Sequence, residues 1–178
     1  MTLAKLDEKP KRNPLRKIVW VTAAFALLVP WIAMQFTSEV NWDLVDFLVF
    51  GSMLVLVCGA YELAVRLTGN RRYRLAVGIA LFGAFLLTWI NLAVGIIGHQ
   101  ENPANLMFFA VPLVGLAGAL LVRFKSRGMV RSLVATAIAQ ALTAVIAALA
   151  GWGLILVPTG LFVMLWLTSA YLFSKSEQ

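Results

Sequence analysis

Apolar residues run along this chain in six long blocks, at 18–36, 44–67, 73–97, 105–123, 129–150 and 154–173, separated by short polar connections. Each block holds about 19–25 residues, enough at roughly 1.5 Å per residue to cross about 30 Å of hydrocarbon. Within hydrocarbon every backbone N–H and C=O must be bonded inside the segment, so the blocks are predicted to be helices. A membrane barrel would instead alternate apolar and polar residues in short segments, and this chain does not. The pattern predicts an all-α, polytopic transmembrane helical bundle of six spans in one domain covering 18–173. Span five is the weakest, being mostly Ala and Val and followed by the tight Gly151–Trp152–Gly153 connection. Spans five and six as a hairpin that fails to cross fully is the alternative, and it keeps the number of crossings even.

The charged positions orient these spans. All fifteen Lys and Arg residues fall in alternate connections or beside them: in the tail before span one, from Arg66 to Arg74, from Arg123 to Arg131, and at Lys175. Connections 37–43 and 98–104 carry none, and the acids Glu39, Asp43 and Glu101 lie there, with Asp46 just inside span two. Cytoplasmic loops are the ones enriched in Lys and Arg, so both termini are expected in the cytoplasm. Residues 1–17, with Pro10 and Pro14, are expected to form a disordered basic tail, and 174–178 a short second tail. The 19 apolar residues of span one exceed the roughly 7–15 of a signal peptide, and no cleavage pattern follows, so it is expected to be retained.

Composition agrees. The 178 residues are 61% hydrophobic and 13% charged, against about 25% charged in a soluble domain. Mean hydropathy is +0.88 and the pI is about 10.1. The formal charge of +7 does not point to nucleic acid, because the cations flank spans in small groups. Such groups attract anionic lipid headgroups at roughly 1 kcal/mol per residue. The expected partners are therefore the bilayer, with its anionic cytoplasmic headgroups, and a membrane protein or a second copy of the chain. The single cysteine, Cys58, excludes an intramolecular disulfide.

Candidate chemistry is sparse. On span five, Ser132, Thr136, Gln140 and Thr143 share one helix face. Gln140 falls near mid-membrane, where it either bonds to a neighbouring helix for about 0.6–2 kcal/mol or lines a polar path. The surrounding Ala137, Ala141, Ala144 and Ala148 favour packing. On span three, Ala80, Ala84, Thr88, Asn91, Gly95 and His99 form a second face that turns from small to polar. Asp46 and Glu62 lie about 160° apart around span two and so are not a catalytic pair. Glu62 precedes Arg66 by four residues, the favourable order for an ion pair, with Arg74 as a second partner. The outer rim collects Asp46, Asn91 and His99, and a cation is the ligand expected there. One histidine does not make a zinc or haem site. No HExxH, GxSxG or phosphate-binding loop is present. No metal or cofactor is predicted.

The patterns WDLVDF (42–47), YELAVR (61–66), YRLAVGIA (73–80), WINLAVGIIG (89–98), NPANLMFF (102–109) and GMVRSLVATAIAQAL (128–142) resemble a group of small uncharacterised bacterial inner-membrane proteins. The resemblance covers spans two to five. It implies a bacterial plasma membrane and a multi-pass helical protein, and carries no activity. Three functions remain open. The first is a non-enzymatic accessory or assembly component acting through small-residue helix faces, among them Gly115, Gly118 and Ala119. The second is a small transporter or channel whose faces at Thr88/Asn91 and Thr136/Gln140 meet around water. The third is an enzyme at the outer rim. The scarcity of ionisable residues inside the spans favours them in that order.

Overall fold

The computed structural model describes residues 14–153 and 155–177, with side chains from Lys17 onward. Among these residues there is no strand. The helices are α1 (Pro14–Phe36), α2 (Leu44–Leu67), α3 (Arg71–Ala93), α4 (Leu106–Leu121), α5 (Ser126–Leu149) and α6 (Leu156–Lys175), with a 3-10 turn at Pro103–Asn105 before α4. All six are long and apolar enough to cross a membrane. α5 and α6 have 24 and 20 residues, so both members of the last pair have spanning length. Of the tail expected over 1–17, residues 1–13 lie outside the described residues, and α1 already begins at Pro14.

The helix ends differ from the apolar blocks for local reasons. α3 stops at Ala93, short of the predicted 97, because Gly95 takes φ +74° and turns the chain away. α4 ends in a Schellman turn, in which Phe124 N–H donates to Ala119 O (3.0 Å) and Arg123 N–H to Leu120 O (3.1 Å). The left-handed residue of such a turn is usually glycine, yet here Arg123 and Phe124 adopt φ +50° and +58°. α5 closes with the same pair of bonds, Trp152 N–H to Ala147 O and Gly151 N–H to Ala148 O, and there Gly151 (φ +71°) fills the position.

The chain groups into two compact units that divide inside α2, one up to Cys58 and one from Gly59. In the first, Asp43 and Asp46 cap α2 reciprocally: Asp46 N–H donates to Asp43 Oδ1 (2.9 Å) and Asp43 N–H to Asp46 Oδ2 (3.0 Å). This capping-box arrangement satisfies backbone donors that a helix start leaves open. Trp42 lies edge-on to Phe47 and Phe50 at 5.2 and 5.3 Å between ring centroids.

In the second unit, α5 packs against α4 and α6, α6 also packs against α3, and α3 meets α4 only slightly. The core holds Leu87, Phe108, Phe162, Trp166 and Phe173. Small residues set these approaches. A Cβ on Gly118 would stand 2.8 Å from Ser132 Cβ and nearer still to its Oγ, and one on Gly83 would meet the Trp166 ring at 3.2 Å. The small faces that the sequence offers for contact with a partner are thus occupied in part by the chain's own helices.

Candidate functional site

The polar face of α5 is a packing surface. Ser132, Thr136, Gln140 and Thr143 are all buried. Ser132 Oγ donates across to Gly115 O on α4 (3.0 Å), while Thr136 Oγ1 donates to Ser132 O and Thr143 Oγ1 to Gln140 O along their own helix. Gln140 Oε1 has no hydrogen-bond partner among the described residues. α6 reaches α3 in a comparable way, with Ser169 Oγ donating to Ala76 O at 2.7 Å. Sequence periodicity located the α5 face but had no access to its partners, since Gly115 contributes only a carbonyl.

The polar face of α3 breaks up where the helix ends. Asn91 is 2% exposed and donates through Nδ2 to Asn105 O (2.9 Å). Asn105 then organises the connection between α3 and α4. Its Oδ1 accepts from the N–H groups of Ile96 and Ile97 (3.1 and 2.8 Å), and its Nδ2 donates to Ile97 O and His99 O (3.3 and 2.8 Å). A Cβ on Gly95 would come within 2.6 Å of Asn105 Nδ2 and 2.7 Å of His99 O, so only glycine fits. His99 itself is exposed. The importance of Asn105 was not legible in the sequence, where it is one of several polar residues near a connection.

The remaining candidates have structural bonds. Asp46 spends a carboxylate oxygen on the α2 cap. Glu62 Oε1 accepts from Arg66 Nε at 3.0 Å, the predicted pair. Arg74 donates to Thr68 O and Val65 O, both at 2.8 Å, and so closes the C-terminal end of α2. Further ties hold this basic end of the second unit together. Tyr73 OH donates to Phe124 O (2.8 Å), Arg72 Nη1 to Lys175 O (2.9 Å) and Asn70 Nδ2 to Ser176 O (2.6 Å). Arg127 Nε donates to Glu177 Oε2 at 2.9 Å.

Between these two ends lies a cavity of about 860 Å³. It opens where α3 and α4 fail to close on one another. Its floor includes Ala119, Met129, Leu133, Thr136 and Trp166, all buried, and exposed Leu67, Leu113, Leu116 and Phe124 stand at its rim. Thr88 and Thr136, one from each predicted polar face, line it together, whereas Asn91 and Gln140 do not. No Asp, Glu, Lys or Arg belongs to its wall. A smaller recess of about 570 Å³ at the opposite end touches Asn91, Glu101, Asn102 and Asn105, with His99 outside its lining. No group of three or more His, Cys, Asp or Glu able to hold a metal ion occurs among the described residues.

Comparison with family models, curated proteins and solved structures returns no match. A large pocket walled by apolar side chains, with a few hydroxyls, is shaped to take an apolar group.

Proposed function

We propose that the chain is a non-enzymatic accessory component of a bacterial inner membrane, with both termini cytoplasmic, that works by holding an apolar group between α3 and α4. The cavity of about 860 Å³ with no charged residue in its wall carries this reading. The small faces of α4 and α5 are engaged inside the chain, through Gly118 against Ser132 and Gly115 against Thr136. The cavity is then a concave, apolar place in the second unit where an outside apolar group can be seated. The orientation is supported by the gathering of Arg66 to Arg74, Arg123 to Arg131 and Lys175 at one end.

The transporter reading keeps one supporting observation, that Thr88 and Thr136 share the cavity. The wall argues against an aqueous path, because Asn91 and Gln140 are buried outside it. Single cysteines at 88 and 136, in a Cys58→Ser background, separate the two. An apolar site predicts labelling by a membrane-soluble maleimide and protection from a charged, water-soluble thiol reagent. Fast reaction with the charged reagent at both positions would sink the apolar reading in favour of a channel. The rim-enzyme reading has the least support, since Asp46 is engaged as a cap.

A further inference from the structure

We infer that the cavity holds an acyl chain of one anionic phospholipid, with the headgroup at the basic end beside Arg123 and Lys125. This rests on the reading of the cavity as an apolar site and names its occupant. The wall is free of charge, yet its residues at the basic end are interleaved with cations. Leu67 follows Arg66, Tyr73 lies between Arg72 and Arg74, and Phe124 lies between Arg123 and Lys125. An amphiphile with an apolar body and a negative head matches both parts.

The cations divide into engaged and available ones. Arg66 is paired with Glu62, Arg127 with Glu177, and Arg72 and Arg74 donate to carbonyls. Arg71, Arg123, Lys125 and Arg131 are exposed and have no salt bridge among the described residues, and of these Arg123 and Lys125 flank Phe124 of the cavity wall. Arg123 also occupies a left-handed position (φ +50°) that glycine fills more easily, as Gly151 does in the matching turn after α5. Strain of this kind is a pointer to function when something else fixes the conformation. Here the Tyr73 hydroxyl holds the Phe124 carbonyl, which keeps the turn at the mouth of the cavity.

The dimensions fit. Along α3 the wall runs from Tyr73 to Thr88, roughly 22 Å at about 1.5 Å per residue. That exceeds the roughly 15 Å that one leaflet contributes, so the cavity is long enough to take a full acyl chain. The volume falls within the roughly 300–1,000 Å³ of small-molecule sites.

The test is native mass spectrometry of the delipidated full chain, titrated with phosphatidylglycerol or phosphatidylethanolamine. Wild type should retain one phosphatidylglycerol per chain, with about a tenfold preference over phosphatidylethanolamine. Ala84→Phe in the wall and Leu116→Trp at the exposed rim should each lose that lipid while keeping the wild-type helical circular dichroism. Arg123→Gly should keep a lipid but lose most of the preference, while its melting temperature rises. No retained lipid in the wild type, retention by both filled variants, or an unchanged preference in Arg123→Gly would each overturn the inference. If no lipid is retained while positions 88 and 136 still react only with the membrane-soluble reagent, the occupant is a partner's helix; the inference then fails and the apolar site stands. Reaction with the charged reagent removes both.

Discussion

The two ends of the α3–α6 unit are built by different chemistry. At one, two buried amides do the joining: Asn91 holds Asn105, and Asn105 holds the backbone of Ile96, Ile97 and His99. At the other, mostly exposed side chains tie distant segments, with Asn70, Arg72 and Tyr73 reaching carbonyls of Ser176, Lys175 and Phe124. The first end is local in sequence and joined through buried amides, beside a recess of about 570 Å³. The second is spread over two connections and the end of α6, is mostly exposed, and adjoins a cavity. A buried hydrogen bond that loses a partner leaves an unsatisfied group with no water to replace it, whereas an exposed one exchanges with solvent. The buried amides are therefore expected to matter more for stability than the exposed ties at the basic end.

This contrast can be broken by substitution. The largest effect is expected for Asn105→Leu, which strips partners from Ile96, Ile97 and His99 at once. With the buried Ile97 N–H and C=O orphaned at about 1–3 kcal/mol each, the protein should fail to accumulate in the membrane, as read by quantitative immunoblot. Normal accumulation would remove the claim that the buried amides matter more for stability. Gly118→Ala, in the last turn of α4 near the basic end, forces a methyl against Ser132 and should cost about 1–3 kcal/mol in thermal unfolding. At the basic end, Tyr73→Phe deletes one bond to Phe124 O and should cost about 1 kcal/mol. A loss as large as that of Asn105→Leu would erase the distinction between the ends. Smallest of all, Glu62→Gln should change stability by about 0.5 kcal/mol, because this i, i+4 pair has a half-shielded Glu62 (16% exposed) but a solvated Arg66 (64% exposed).

Much of the fold was legible because the membrane simplifies the problem. Six blocks of spanning length fixed six helices, and the i, i+4 spacing of Glu62 and Arg66 was enough to expect their pair. The candidate site was legible only in fragments. Thr88 and Thr136 were flagged on separate helix faces, and their meeting in one cavity depends on how far apart α3 and α4 stand. His99 was counted on the face of α3, but the helix ends at Ala93 because Gly95 turns the chain. Arg74, offered as a second partner for Glu62, donates to the carbonyls of Val65 and Thr68. Backbone acceptors carry no residue-specific signal, so a sequence pattern cannot nominate them.

By itself, the sequence determined that this chain is a multi-pass helical membrane protein, because hydropathy, length and backbone hydrogen bonding in hydrocarbon leave one solution. It also determined where the cations lie. Only the tertiary structure decided what the small and polar residues do. Gly83 and Gly118 proved to be seats for Trp166 and Ser132, and Asn105 the centre of a connection. A charge-free cavity opened where α3 and α4 stand apart. The physical reason is that close packing and voids are set by which faces meet, and faces of equal hydropathy are indistinguishable until the helices are placed.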